Sequence, residues 1–313
     1  MLSIGIHAST WKVGRFGYIL GGFAASPVAT ADCTTFSTQI TAALASANLS
    51  QNNYNACSLS DAVRYGYALG GYNAIYLIST DQITLSTQVT ALLATCNLSQ
   101  SRYRAGSLSD GFQFGYVLGG TNGAPVATAD CTTFSTQVTA ALASANLSEA
   151  RYGLSGLSDA VRYGYALGGY TSTYVATGGC LTFSTQSLAA LASANLSQAR
   201  RYACSMGDPV RYVGYTIGGS NGNDLATADC TTFSTQVTAA LTSANLSQAR
   251  YGVSGMIDGL QFGYVLGGAN SGGNLATADC TTFSTQITAA LASANLSAGN
   301  ARRYVSSVSD YNV

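Results

Sequence analysis

Apolar positions in the first half of a recurring segment follow the period of an α-helix. In the stretch CTTFSTQITAALASANLS, the residues Phe36, Ile40, Ala43, Leu44 and Ala47 have the spacing of one helical face. The Thr and Ser residues lower the intrinsic helix propensity, so such a helix depends on packing against other elements. The pattern therefore predicts a helix that lies against a neighbouring element.

The second half of the segment, SLSDAVRYGYALGG, supports two interpretations. Ser60 suits a helix N-cap, Asp61 suits the first turn, and Gly70 is a stop signal. The small residues Ala62, Gly66 and Gly70 recur at every fourth position and predict a flat helical face for close packing. The alternative is a strand, because RYGYAL alternates Tyr with other residues and is rich in β-formers. We expect a helix and keep a β-containing repeat as the alternative.

The same two halves recur along the whole chain. The tripeptide STQ occurs six times at intervals of 49 or 50 residues, and it begins at residues 37, 86, 135, 184, 234 and 284. Such periods are typical of solenoids, propellers and other repeat arrays. We divide the chain into one repeat domain, 1–313, that consists of a half-unit 1–31, units of approximately 32–80, 81–129, 130–178, 179–228 and 229–278, and a final half-unit with a tail, 279–313.

These observations predict an all-α fold of six two-helix repeats of about 49 residues, arranged as an open solenoid or as a closed α-helical ring. Terminal repeats of open solenoids are usually polar and atypical. Here the last copy, CTTFSTQITAALASANLS, is identical to the first. The chain also starts with a second half and ends with a first half, so closure or end-to-end joining is favoured.

Composition narrows the possible partners. Charged residues make up 8% of the chain, and the 13 basic and 13 acidic residues cancel. A neutral, charge-poor surface has no electrostatic footprint for nucleic acid, and it favours association. No apolar run is long enough to predict a membrane-spanning helix. We therefore expect copies of the chain itself, or other subunits of an assembly, as partners.

The N-terminal region resembles a secretory signal without being a convincing one. Lys12 and Arg15 precede the apolar stretch FGYILGGFAAS, and ATA follows, which is the general order of a signal peptide and its cleavage site. The same text recurs inside the chain as FGYVLGG and ATADC. We interpret it as part of a repeat, and expect the protein to be extracellular or within a large assembly.

The chain contains eight cysteines, which are distributed over the repeats. The members of two pairs, Cys33–Cys57 and Cys180–Cys204, are 24 residues apart and are candidate disulfides. The other cysteines are interpreted as buried, bonded between chains or attached to a ligand. No CxxC motif is present and His7 is the only histidine, so no metal site is predicted. Cofactor attachment, if there is any, would involve the cysteines that open the first halves, namely Cys33, Cys131, Cys180, Cys230 and Cys280.

The stretch CSLSDAVRYGYAL, residues 57–69, resembles the bilin-attachment segment of phycobiliproteins, in which a Cys precedes an Asp and then Arg-Tyr and Tyr-Ala. The tripeptide ADC is similar to a second attachment site of that family. The resemblance covers about a dozen residues. The Cys-to-Asp spacing is one residue longer than in the family, and the Arg next to the family's Asp is missing. The resemblance implies a covalently bound bilin in a light-harvesting assembly, whereas the residues by themselves predict no cofactor.

The tripeptide NLS fits the N-glycosylation pattern in all six copies. The candidate acceptors are Asn48, Asn97, Asn146, Asn195, Asn245 and Asn295. The alternative is that each Asn ends one element and that the following Ser starts the next turn. We favour this structural role, because duplication of one unit explains all six copies.

No catalytic set is evident, and we expect a non-enzymatic protein. A hydrolase triad needs a base, usually His, and the glycine-rich segments do not open helices as phosphate-binding loops do. Low charge and near-identical units favour a structural protein that self-associates as a filament, coat, silk-like or capsid component. One alternative is a scaffold or linker subunit that carries a pigment or lipid, such as a Cys-attached tetrapyrrole in a light-harvesting assembly. The second alternative is a surface- or glycan-binding repeat module.

Overall fold

The chain folds into six four-stranded antiparallel sheets arranged as a six-bladed β-propeller. The structure is a computed structural model and describes residues 14–310. In that range no helix reaches seven residues, so the all-α prediction is wrong for both the solenoid and the helical ring. The same range contains no helix that is long and apolar enough to cross a membrane.

Blade 1 combines both ends of the described chain, and blades 2 to 6 follow in sequence order. The strands are, in blade 1, β1 (Phe16–Phe23), β2 (Pro27–Thr35), β3 (Ile40–Ala43) and β26 (Ser306–Ser309); in blade 2, β4 (Cys57–Ser60), β5 (Tyr65–Leu69), β6 (Thr80–Thr84) and β7 (Val89–Leu92); in blade 3, β8 (Gly106–Ser109), β9 (Phe114–Leu118), β10 (Ala129–Thr133) and β11 (Val138–Ala141); in blade 4, β12 (Ser155–Ser158), β13 (Tyr163–Tyr170), β14 (Tyr174–Thr182) and β15 (Ser187–Ala190); in blade 5, β16 (Cys204–Asp208), β17 (Val213–Ile217), β18 (Ala228–Thr232) and β19 (Val237–Ala240); and in blade 6, β20 (Ser254–Ile257), β21 (Phe262–Leu266), β24 (Ala278–Thr282) and β25 (Ile287–Ala290). A small hairpin, β22 (Ala269–Asn270) and β23 (Gly273–Asn274), extends the middle turn of blade 6.

The ring closes by strand pairing. Strand β26 pairs antiparallel with β1, with Val308 opposite Tyr18. The first strands of the blades (β26, β4, β8, β12, β16 and β20) contact one another in a circle and surround the central axis. The third strand pairs with the second and fourth, so the fourth strand is the outer edge of each blade. The two halves of the repeat therefore belong to different blades, because one unit contains the outer part of one blade and the inner part of the next.

The first predicted helix is a strand, a turn, a short strand and a 3-10 turn. The third strand ends at Thr35, and Gln39 takes a left-handed φ of 55° before β3 begins. The predicted face does not exist as such, because Phe36 and Ala47 are buried while Ile40 and Ala43 are exposed. The helical spacing arises because a four-residue turn separates two strands. The equivalent 3-10 turns are Ala45–Ala47, Ala94–Cys96, Ala143–Ala145, Ala192–Ala194, Thr242–Ala244 and Ala292–Ala294.

The second predicted helix is a β-hairpin, so the alternative strand interpretation of RYGYAL is correct. Asp61 holds the turn, because its Oδ1 accepts the backbone N–H groups of Val63, Arg64 and Tyr65 at 3.1, 2.7 and 2.8 Å. The Arg64 Nε lies 3.3 Å from Asp61 Oδ2. An Asp that accepts several backbone N–H groups competes with helix formation and favours turns.

Glycine in the second strand allows adjacent blades to approach closely. A Cβ added to Gly66 would lie 2.2 Å from a methyl group of Val308 in the preceding blade. Close packing at this position was expected from the small residues, although it occurs between sheets and not between helices. The neighbouring Tyr67 is buried and stacks on Phe134 of the next blade with ring centroids 5.7 Å apart.

The recurring STQ motif serves the same contact between blades. Phe36, just before the motif, stacks on Tyr264 at 5.4 Å, and Gln39 Nε2 donates to the Tyr264 hydroxyl at 3.2 Å. Equivalent glutamines donate to the hydroxyls of Tyr18, Tyr116 and Tyr215. The repeated motif is thus explained by packing around the ring, and each core cluster lies between neighbouring blades.

Buried ion pairs tie the connections to the third strands. The Arg Nη2 to Asp Oδ2 distances are 2.6 to 2.9 Å in four fully buried pairs, which are Arg302–Asp32, Arg102–Asp130, Arg200–Asp229 and Arg250–Asp279. Two blades depart from this arrangement. Blade 2 has Asp81 but Asn53 in place of Arg, and blade 4 has Arg151 but Gly179 in place of Asp.

Candidate functional site

One face of the propeller concentrates tyrosine and arginine around the axis. It is formed by the turns between the second and third strands and by the connections that lead from one blade to the next. We call it the Tyr/Arg face and define it by Phe23, Tyr54, Tyr72, Tyr76, Tyr103, Arg104, Tyr152, Tyr170, Tyr174, Arg201, Tyr202, Tyr251, Arg303 and Tyr304.

A closed ring of backbone hydrogen bonds organises the centre of this face. One residue from each connection takes a left-handed φ between 54° and 66°. Each donates its N–H to the carbonyl of the equivalent residue in the preceding connection, at 2.6 to 3.2 Å. The six ring residues are Asn55, Arg104, Gly153, Tyr202, Gly252 and Tyr304. Because every N–H of the ring is used, the ring is rigid, and it places side chains from all six connections around the axis.

Inside this ring, the first strands of all six blades line the axis. Two cavities of about 220 and 170 Å³ lie along it. The serine hydroxyls are used between blades, since Ser158 Oγ donates to the Ser109 carbonyl at 2.6 Å and Ser307 Oγ donates to the Gly255 carbonyl at 2.7 Å. Within residues 14–310, no group of three or more His, Cys, Asp or Glu side chains is placed to hold a metal ion.

Three partly buried arginines give the Tyr/Arg face a positive charge. The Arg104 guanidinium lies 4.5 Å from the Tyr103 ring centroid and 5.4 Å from that of Tyr202. The guanidinium of Arg201 lies 4.8 Å from the same Tyr202 ring, and that of Arg303 lies 5.3 Å from the Tyr304 ring. No carboxylate of the described chain forms an ion pair with any of the three.

The hydrogen bonds of these arginines are few. Arg201 Nη1 donates to the Tyr152 hydroxyl at 2.9 Å and Arg303 Nη1 donates to the Tyr251 hydroxyl at 3.2 Å. In the described part of the chain, the Nε atoms of Arg104, Arg201 and Arg303 are buried without a hydrogen-bond partner. Burial raises the pKa of Tyr304 to about 12, although all three guanidinium groups act to lower it. The arrangement therefore has positive charge and spare donors beside aromatic rings.

The cysteines proposed for ligand attachment lie in the third strands. Cys33, Cys131, Cys180, Cys230 and Cys280 are half-buried. Burial raises the pKa of their thiols to about 11 or 12. All eight cysteines are free thiols.

The candidate disulfides Cys33–Cys57 and Cys180–Cys204 are not formed in the structure. Cys33 lies in blade 1 and Cys57 in blade 2, and the same holds for Cys180 in blade 4 and Cys204 in blade 5. Cys57 Sγ instead donates to the Ala105 carbonyl at 3.4 Å. The 24-residue spacing reflects the passage from a third strand to the first strand of the next blade.

The asparagines of the six NLS sequences have one structural role. Each side-chain carbonyl accepts a backbone N–H of the third strand at 2.8 to 3.1 Å; the six residues are Asn48, Asn97, Asn146, Asn195, Asn245 and Asn295. This bond anchors the segment that follows each 3-10 turn. Glycosylation of these residues stays a prediction.

The residues of the Tyr/Arg face were missed as a site from the sequence. The signal was present, because Arg-Tyr dipeptides follow the NLS tripeptide in most units. The sequence does not show that these side chains lie together in the fold. Tyr202 and Tyr304 are about 100 positions apart in the chain, but their ring centroids are 5.1 Å apart.

A propeller hosts many unrelated functions, so the fold does not identify the activity. The Tyr/Arg face and the axial cavities are therefore the features from which function has to be argued. Comparison with protein-family models finds no match, and neither does comparison with curated proteins.

Proposed function

We propose that this protein is a non-enzymatic binding module whose Tyr/Arg face binds an acidic carbohydrate. The observation that supports this most directly is the set of three arginines, Arg104, Arg201 and Arg303, without a carboxylate partner among tyrosine rings. A guanidinium presents several N–H donors in a fixed planar array that matches a carboxylate or sulfate group.

The tyrosines supply the second part of the recognition. Tyr rings present an apolar face with a polar end, and they are enriched at binding surfaces for this reason. Tyr54, Tyr72, Tyr76 and Tyr103 lie with their ring centroids 5.3 to 6.2 Å apart. A cluster of this size offers a platform for the C–H face of a sugar ring, while the arginines contact the acidic group.

The rigidity of the ring favours binding. The closed circle of six backbone hydrogen bonds fixes Arg104, Tyr202 and Tyr304 before a ligand arrives. A preorganised site loses less conformational entropy on binding. The self-associating structural protein stays a prediction, and a binding module could also be part of such an assembly.

The test is a glycan array that carries neutral, carboxylated and sulfated oligosaccharides, followed by titration calorimetry with the strongest ligand. We expect binding to acidic members only, and weaker binding at higher salt. The single variant Arg104→Gln should reduce affinity about 10- to 100-fold, the range for losing one charge-assisted hydrogen bond, and Arg104→Gln/Arg201→Gln should reduce it further. The control is Arg64→Gln, which changes an exposed arginine in a turn between first and second strands. Binding to neutral glycans alone, or equal loss in the control, would refute the proposal.

A further inference from the structure

Blade 4 lacks the carboxylate of the buried ion pairs, and it has Leu181 and Leu188 where blade 6 has Thr281 and Thr288. In blade 6, Arg250 Nη2 donates to Asp279 Oδ2 at 2.6 Å and to the Val265 carbonyl at 3.1 Å, and its Nη1 donates to Thr277 Oγ1. In addition, Asp279 Oδ1 accepts the backbone N–H of Ser247 at 3.3 Å. The carboxylate thus receives one guanidinium N–H and one backbone N–H.

Blade 4 keeps the arginine and its other partners. Arg151 Nη2 donates to the Ala166 carbonyl at 3.1 Å and Nη1 donates to Thr177 Oγ1. The residue is 3% exposed. Gly179 stands where blade 6 has Asp279, and within the described residues no carboxylate lies within ion-pair distance of Arg151.

The charge of Arg151 is therefore poorly compensated. Its Nε is buried without a hydrogen-bond partner in the described chain, as is the Nε of Arg250 in blade 6, so the difference between the two arginines lies at the missing carboxylate. Burial lowers the pKa of Arg151, and the charge of Glu149 partly opposes that effect. Glu149 itself is exposed. A buried guanidinium that lacks a counter-charge is strongly destabilising, so a bound anion that supplies the charge would stabilise the fold.

The Leu188 side chain stands close to Gly179. A Cβ added at Gly179 would lie 3.1 Å from Leu188 Cδ2, which is tighter than an ordinary contact, and 3.7 Å from the Ala189 carbonyl oxygen. The flexible end of Leu188 therefore has to shift by a few tenths of an ångström to admit a further group beside Gly179. The backbone N–H of Ser148 corresponds to the Ser247 N–H that donates to Asp279 in blade 6. The donors that hold a carboxylate in other blades are thus present in blade 4.

We propose that Arg151, the Ser148 backbone N–H and the space beside Gly179 form a binding site for a small monovalent carboxylate such as formate. The ligand would take the position of the aspartate carboxylate in the other blades. This site lies at the third strand of blade 4, between the buried residues Arg151 and Gly179 and the exposed residue Ser148, and it is separate from the Tyr/Arg face.

The test is thermal unfolding of the full chain during titration with sodium formate at constant ionic strength. The Tm of the unmodified protein should rise saturably, by about 5 °C at 100-fold excess over the dissociation constant. Gly179→Asp supplies the carboxylate covalently, so its Tm should be higher without formate and insensitive to formate. Arg151→Met removes the cation and should also abolish the response.

The two variants make the outcome decisive even if one of them does not fold. A formate response of equal size in either folded variant would overturn the proposal, because the effect would then be non-specific. An unmodified protein whose Tm does not respond to formate would overturn it as well. A response that is confined to chains with Arg151 and Gly179 supports it.

Discussion

Removing one carboxylate from a complete buried ion pair should destabilise the propeller strongly. Arg102 and Asp130 are both 0% exposed at their side chains, with Nη2 2.6 Å from Oδ2. In Asp130→Asn, the Arg102 guanidinium stays buried but loses its counter-charge. Breaking a buried pair in this way costs about 3–5 kcal/mol. At about 2 °C of Tm per kcal/mol for a chain of this size, the expected loss is about 6–10 °C.

The measurement is guanidinium chloride denaturation together with thermal unfolding by circular dichroism. The matched control is Arg64→Gln, which breaks the pair with Asp61 at a side chain that is 59% exposed. An exposed pair of this kind contributes about 0–1 kcal/mol, so the control should remain close to the unmodified protein.

A third variant separates charge from packing. Arg102→Met/Asp130→Ala removes both charges, so the double variant should be more stable than Asp130→Asn alone. The reasoning is refuted if the free energy of unfolding of Asp130→Asn falls by less than about 1 kcal/mol. It is also refuted if the loss in the double variant equals the sum of the losses in Arg102→Met and in Asp130→Ala, each made alone. In either case the buried charge would not be the reason for the loss.

Two further predictions concern closure of the ring and an uncompensated aspartate. Val308→Ala should lower the free energy of unfolding by about 2 kcal/mol in chemical denaturation, because Val308 is 2% exposed in the strand that closes blade 1. The control Val89→Ala, on an exposed outer strand, should change that free energy by less than about 0.5 kcal/mol. Equal losses in the two variants would contradict closure through β26. Burial raises the pKa of Asp81, so the folded state binds the proton more tightly than the unfolded chain, and stability should fall as pH rises through that pKa. Compared with Asp81→Asn, the unmodified protein should therefore gain in Tm between pH 7 and pH 4, and Asn53→Arg should remove this gain by supplying a cation; identical pH profiles for all three chains would count against it.

Local patterns misled the assignment of secondary structure for an identifiable reason. The apolar residues Phe36, Ile40 and Leu44 are four apart because a four-residue turn, 36–39, separates two strands. Periodicity alone does not distinguish such a turn from continuous helix. By contrast, the alternation in RYGYAL was a correct sign of a strand, and the Asp61 turn before it explains why the signal looked like a capped helix start.

The Tyr/Arg face could be predicted only in part. The sequence contains the Arg-Tyr dipeptides, but their neighbours come from other units. Arg104 lies near Tyr152 and Tyr202 because six left-handed residues form one hydrogen-bonded circle. That circle is a property of the closed ring, and no single unit contains it.

The amino-acid sequence by itself determined the number of repeats, their period and the half-unit offset between the two ends, because duplication leaves these features in the order of residues. Only the tertiary structure decided that the repeats are blades, that β26 completes blade 1, and that Arg151 lacks a carboxylate. The physical reason is that each blade is stabilised mainly by contacts with its neighbours, such as Tyr67 on Phe134, and these contacts join residues that lie one or more units apart.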